Sequence, residues 1–168
     1  GSEVSSTCSS INVDLLHSLG AKKVINYKSE VFQNTLEGYD VAYDLLGDSV
    51  LDDSIDACCK ILKNNSSSHY ITLTHPLMNT LDDKGLLLGA PHAFFLRQKV
   101  KSAYKPINVH WSIYRPSLSG LKELTHLAEK EIIKPTIDSI YSLSDISEAH
   151  KKVGTGHVSG KVVINNIL

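Results

Sequence analysis

These 168 residues predict an α/β protein built on a parallel sheet, on the strength of three features. First, short β-branched or apolar runs alternate with helical patterns from Glu3 to Thr74, the signature of strands joined by crossovers with helices on both sides of a sheet. Second, the run YDVAYDLLGDS, Tyr39 to Ser49, sets Val41, Tyr43 and Leu45 against Ala42, Asp44 and Leu46, apolar enough to be covered on both faces as a parallel strand is. Third, Gly47 frees the backbone after that strand, and Asp48 or Ser49 can cap a following helix. A strand, a glycine and a helix N-terminus form the unit on which open α/β sheets hold a ligand, beyond the carboxyl end of the strand.

Taken in order, EVSSTCS from Glu3 to Ser9 is a strand, and Ser10 or Asn12 can cap a helix through Leu19 that Gly20 stops. KVINY, Lys23 to Tyr27, is a second strand. Val31 to Leu36 makes one or two helical turns that Gly38 breaks. After the Tyr39 strand, Leu51 to Leu62 carries Leu51, Ile55, Cys58, Cys59 and Leu62 on one helical face. Its acids, Asp52, Asp53 and Asp56, lie early and Lys60 and Lys63 late, matching the helix dipole. HYITLT, His69 to Thr74, is the next strand. Pro76 to Ser117 shows no clear period. Leu118 to Glu131 is an amphipathic helix with Leu121, Leu124, Leu127 and Ala128 inward. Thr136 to Tyr141 is a strand, Ser144 starts a helix, Gly154 to Gly160 is a glycine-punctuated turn, and Lys161 to Asn165 closes on a strand.

Composition narrows the classes. With 17 basic and 18 acidic residues the net charge is -1, which gives no reason to invoke nucleic acid or an anionic membrane as partner. The longest apolar run, Gly85 to Ala90, is too short to span a bilayer, and a soluble chain is expected. One domain is the default at this length. Three cysteines, two of them adjacent at Cys58 and Cys59, do not form a disulfide framework and fit a reducing compartment. None of the histidines shows metal-ligand spacing, so no metal is expected.

Four stretches, TCSSINVDLLHSLGAKKVINY, YDVAYDLLG, HYITL and KPTIDSIYSLSDISEAHKKVGTGHVSGKVVIN, resemble the carboxyl-terminal half of the zinc-lacking quinone-oxidoreductase branch of the medium-chain dehydrogenase/reductase superfamily. The last is the most specific, since a strand, a helix ending near an Ala-His pair and a GHxxGK turn into a final strand rarely coincide. The resemblance implies a Rossmann-type doubly wound parallel sheet lacking its first strand and glycine-rich loop, plus closing strands of the catalytic domain. Residues 1–131 would then be an incomplete NADPH-binding domain and 132–168 would belong to the catalytic domain. Family positions that touch NADPH fall on Ser9, Tyr27, Leu45, Leu73, Ser112, Tyr114, His157, Val158 and Ser159. A mitochondrial location, with the cytoplasm as alternative, a reticulon-like protein partner and a homo-oligomer are further implications.

The residues can be tested against that reading. A free ribose 2′-hydroxyl is usually met by an acid at the end of the second Rossmann strand; here the place is Cys8-Ser9-Ser10, which favours NADPH over NADH. Ser9-Ser10 can equally be a helix cap. Lys22, Lys23 and Lys28 are close enough in sequence to offer charge. Ser159 stands where the family turn commonly has arginine, removing a cation. No GxGxxG occurs; GTGHVSG leads into a strand and fails the context test. The order 3-2-1-4-5-6 would put the missing strand between those at Glu3 and Tyr39, so a fragment of a longer protein is expected. The implied function is hydride transfer from NADPH to a quinone or conjugated carbonyl, with no catalytic residue assignable. The alternatives are a non-catalytic NADPH-binding or partner-binding scaffold and, more remotely, a methyltransferase.

Overall fold

The computed structural model describes residues 1–46 and 53–166. Its contacts divide the chain into two compact units, Gly1–Tyr114 and Arg115–Leu168.

In the first unit, β1 (Ser5–Cys8) pairs in parallel with β2 (Lys23–Asn26), Ser5 opposite Lys23 and Cys8 opposite Asn26. The crossover is a 3₁₀ turn, Ser10–Asn12, running into α1 (Val13–Ser18), and Gly20 ends it at φ 95°, a conformation that costs glycine nothing. A second parallel sheet has the order β3 (Val41–Asp44), β4 (His69–Thr72), β5 (Asn108–Trp111). Between these strands lie α2 (Ser54–Ile61) and α3 (Leu77–Ala103). Ala42, Leu62, Tyr70, Ile107 and Val109 form the main core, and Ile25, Leu36 and Ile61 tie β2 to α2 in a second.

Among the described residues no ladder joins β1–β2 to β3–β4–β5. The gap falls where the 3-2-1-4-5-6 order has its first strand, between the second and the fourth. At its amino end Ser5 Oγ and the Tyr39 hydroxyl bridge it at 2.6 Å.

The structure refines or corrects several expectations. The central strand is covered on one face only: Ala42 and Asp44 are buried, whereas Val41 and Tyr43 are 41% and 69% exposed. The covered face is the one that meets α2. The caps at Gly47, Asp48 and Ser49 lie outside the described residues. In α2 the expected face does meet the core, since Leu62 is buried and Ile55, Cys58 and Cys59 pack against it, but a buried stripe of Ser54, Ala57 and Ile61 runs beside it; Leu51 lies outside the described residues. The helix is turned so that Ser54 reaches a buried acceptor, Asp44. Finally, the aperiodic middle is largely helical. Gly85 at φ 68° breaks α3 into two arms, and a Cβ on Gly89 would stand 2.7 Å from the Thr80 carbonyl, so glycine lets the arms approach. A break and an internal Pro91 scramble the period that would have revealed the helix.

The second unit pairs β6 (Ile137–Ser142) in parallel with β7 (Lys161–Asn165), joined by a 3₁₀ turn and α5 (Ile146–Gly154). Gly160, at φ 122°, enters β7 where a Cβ would lie 2.3 Å from the Thr136 carbonyl oxygen. Helix α4 (Leu118–Glu129) is capped by Ser117 Oγ, which accepts from the Gly120 N–H at 3.1 Å. Its apolar stripe was expected to face inward, yet Leu121 and Leu124 are exposed and α4 has no buried residue. No described helix is long and apolar enough to cross a membrane.

Candidate functional site

Parallel pairing brings equivalent ends of neighbouring strands to one edge. Cys8 stands opposite Asn26, so Ser9 and Tyr27 are each the first residue past β1 and β2. Asp44, Thr72 and Trp111 are in register, so Leu45, Leu73 and Ser112 are each the first residue past β3, β4 and β5. Five of the nine predicted positions thus occupy the same place on their strands, the carboxyl edge where open α/β sheets hold ligands.

What this edge can offer follows from its hydrogen bonds. The N–H groups of Tyr27, Leu73 and Ser112 extend the ladders, donating to the carbonyls of Cys8, Asp44 and Thr72 at 3.1, 3.1 and 2.9 Å. Those three N–H groups are committed, so Tyr27, Leu73 and Ser112 can offer only carbonyls and side chains. Ser9 precedes the 3₁₀ turn but its hydroxyl makes no capping bond, so the helix-cap alternative is not used. Tyr27, Leu45 and Leu73 are all more than half exposed, and Tyr114 is 88% exposed. Apolar side chains held open at the rim of a sheet mark a surface that a ligand or another segment can cover.

One sequence expectation fails at this edge. Lys22 and Lys23 lie at the amino end of β2, on the far side from Tyr27, where Lys22 Nζ donates to Glu3 at 2.6 Å and Lys23 Nζ to the Thr35 carbonyl at 2.7 Å. Closeness in sequence is misleading because a strand advances roughly 3.3 Å per residue and separates its two ends. Only Lys28 is at the carboxyl edge.

His157, Val158 and Ser159 belong to the second unit, in the turn between α5 and β7. The Ser159 N–H donates to Asp138 Oδ1 at 2.9 Å, and Lys152 Nζ lies 3.3 Å from Asp138 Oδ2. That N–H therefore holds the turn rather than facing outward. The Ser159 bond, with Lys152 beside it, keeps the Asp138 carboxyl below the usual carboxylate range.

Two features near the edge escaped sequence reasoning. Asp44 is buried, and its Oδ2 accepts from Ser54 Oγ at 2.7 Å and from the Tyr70 hydroxyl at 2.8 Å, while Oδ1 accepts from the Leu46 N–H at 3.2 Å. Burial and this bond raise the Tyr70 phenol above its ordinary range. Burial, aided by Asp44, pushes the Cys58 thiol up to about 12, so it stays protonated and unreactive. The second is His75, whose ring stacks on Trp111 at 5.2 Å and an interplanar angle of 2°. Its Nε2 lies 3.2 Å from the Ser112 carbonyl and must carry the proton, since a carbonyl only accepts. Neither pairing has a signature in sequence spacing, because each joins elements distant in the chain. No group of three or more His, Cys, Asp or Glu able to hold a metal occurs among the described residues.

The profile of a family described as zinc-binding dehydrogenase matches residues 19–164. The chain belongs to that family. It is 28% identical over 167 residues to the mitochondrial NAD(P)H oxidoreductase RTN4IP1 of Danio rerio, covering 98% of this chain and 43% of that protein. It is 29% identical over 164 residues to the Homo sapiens protein of the same name, covering 96% and 41%. Among solved structures, the quinone oxidoreductase from Coxiella burnetii superposes with a TM-score of 0.71 at 25% identity, covering 98% of this chain and 45% of that one. The chain thus spans less than half the length of the relatives it matches. The zinc-binding dehydrogenase assignment and the parallel strand order establish a Rossmann-like fold of the medium-chain dehydrogenase/reductase superfamily.

Proposed function

We propose that the protein carrying this chain is an NADPH-dependent oxidoreductase that passes hydride to a quinone or another conjugated carbonyl, and that residues 1–131 contribute part of the cofactor-binding domain while 132–168 return to the catalytic domain. The observation that carries the reading is the carboxyl edge of β1 and β2, where Ser9 and Tyr27 stand side by side. A ribose bearing a 2′-phosphate needs hydroxyl donors there and is repelled by an acid; Cys8, Ser9 and Ser10 supply hydroxyls and no carboxylate. The names of the relatives, NAD(P)H oxidoreductase and quinone oxidoreductase, support a nicotinamide cofactor without choosing between its phosphorylated and unphosphorylated forms.

In this reading Leu45 and Leu73 wall the dinucleotide, Ser112 and Tyr114 flank its nicotinamide end, and His157, Val158 and Ser159 are further cofactor-contacting residues of the second unit. The nicotinamide, when bound, supplies the hydride; the protein orients it against the acceptor and keeps water out. Tyr114 serves as an aromatic wall. Mitochondrial residence and a reticulon-like partner, beside the small-molecule acceptor, are carried over from the relatives' names as part of the same proposal.

The test is Ser9→Asp in the protein that carries the chain. NADPH affinity should fall at least tenfold more than NADH affinity, because a carboxylate repels the 2′-phosphate; equal losses sink the assignment. Loss of NADPH absorbance with a small quinone separates an oxidoreductase from a scaffold, since binding without turnover leaves only the scaffold. The 168 residues by themselves, with no GxGxxG loop to hold the pyrophosphate, should bind NADPH no tighter than the micromolar range by calorimetry.

A further inference from the structure

At the edge of the three-stranded sheet opposite Leu45, Leu73 and Ser112, a cleft of about 430 Å³ opens between the end of α3 and the starts of β4 and β5. Ser66, Lys101, Lys105, Asn108 and His110 line it over an apolar floor, and no carboxylate among the described residues does. The lining His110 is paired with His69, its Nε2 lying 2.9 Å from His69 Nδ1. Arg97 and Lys101 of α3 both act on His110 electrostatically, and Arg97 Nε is buried without a hydrogen-bond partner. Among the described residues Lys101, Lys105 and Arg97 form no ion pair, whereas five other lysines do. Asp40, at the entry to β3, is already held by Lys63 at 2.6 Å. Among the described residues the cleft lining therefore carries positive charge and no carboxylate, and Asp40 and Asp56 are engaged elsewhere, by Lys63 and the Tyr104 hydroxyl.

Helix-dipole complementarity explains Lys101, which lies in the last turn of α3. It does not explain Lys105, beyond the helix, or the absence of acids. Burial, His69, Lys101 and Arg97 together hold the His110 imidazole below its ordinary range, so the cluster already resists one more positive charge. The same repulsion counts against a metal dication, although two imidazole nitrogens at this separation could otherwise chelate one. An oxyanion relieves the repulsion instead of adding to it.

We propose that this cleft binds a phosphate-type dianion through Lys101 and Lys105, beside the His69–His110 pair, as a site separate from the cofactor edge. The lysines supply point charges, and Ser66 can add a hydroxyl.

The experiment uses the full 168-residue chain and inorganic phosphate at pH 7.5, with ionic strength held constant by sodium chloride. The ring resonances of His69 and His110 should shift saturably with a dissociation constant in the millimolar range or tighter, while those of His150 stay put. Lys101→Gln with Lys105→Gln should weaken binding at least tenfold, and the corresponding double arginine variant should retain it, which separates lost charge from lost folding. Shifts reproduced by sodium chloride alone, or undiminished in the double glutamine variant, overturn the proposal. Binding of zinc chloride tighter than phosphate and indifferent to both lysines also overturns it and assigns the pair to a metal.

Discussion

Two parallel sheets in this chain share a pairing pattern and differ in what covers them. The β3–β4–β5 sheet has Ala42, Tyr70 and Val109 buried beneath α2 and the end of α3. The β6–β7 pair has one helix, α5, and Ala149 is its one fully buried hydrophobic residue among those described. Two strands and a helix cannot enclose a core, whereas a third strand and a second helix can. Backbone pairing alone therefore predicts neither burial nor stability, and side chains of equal hydrophobicity should differ sharply in energetic weight between the two units.

The largest effect should come from truncating a core residue of the first unit. Ile25 is 2% exposed and packs with Leu36 and Ile61, linking β2 to α2 across separately paired sheets. Ile25→Ala should cost about 2–5 kcal/mol, the range for deleting a buried aliphatic side chain that leaves a cavity. Ile140 of β6, 62% exposed, provides the contrast: Ile140→Ala should change stability by less than about 0.5 kcal/mol. Urea unfolding of both variants decides the matter. Similar losses would mean that the second unit hides a core of its own.

A smaller effect is expected at the buried polar cluster. Tyr70→Phe keeps the ring within the core and removes the hydroxyl that donates to Asp44 at 2.8 Å. Weakening the solvation of a buried carboxyl costs about 1–3 kcal/mol, less than the cavity at Ile25. Adding Ser54→Ala, which takes away the 2.7 Å donor on the same oxygen, should give a loss that is not additive with the first. Strict additivity would show that the two hydroxyls act independently of Asp44.

The same contrast explains how much was legible in the sequence. Strands β1 to β4 and the closing strand could be placed from short β-branched runs between glycines, because period and punctuation are local properties. That Ser9 and Tyr27 follow neighbouring strand ends, and that Leu45, Leu73 and Ser112 do so in the other sheet, was also legible, since parallel pairing converts strand ends into neighbours within each sheet. Coverage was not. Val41 and Tyr43 read as buried on pattern, yet what lies over a strand is decided by elements far away in the chain. The inward face assigned to Leu121 and Leu124 failed for the same reason. Helix α3 was missed because Gly85 and Pro91 interrupt its period, and β5, four residues long, was hidden with it. Asp44 could have been suspected from its place in step with buried Ala42, but its donors on α2 and β4 come from tertiary structure alone.

The smallest effect concerns acid, and it tests whether the second unit is held by polar contacts where it lacks a core. Asp138 accepts from the Ser159 N–H and lies near Lys152, joining the start of β6 to the turn before β7. Those partners lower its pKa in the folded chain relative to the unfolded one. A carboxyl shifted downward by folding contributes stability that is present above its unfolded value, close to 3.8, and that is lost as pH falls through the folded value. Between neutral pH and about pH 5 the unit should be indifferent to acid; below about pH 4 the β6–β7 pairing should loosen while β3–β4–β5 persists. Asp138→Asn, which retains an acceptor for Ser159 and discards the charge, should abolish this selective loss and leave a slightly weaker unit at pH 7. Amide resonances of Ile140 and Val163 followed from pH 6 to pH 2 report it. If both sheets lose their signals at one common midpoint in the parent and the variant alike, Asp138 is not what ties the turn to the strand.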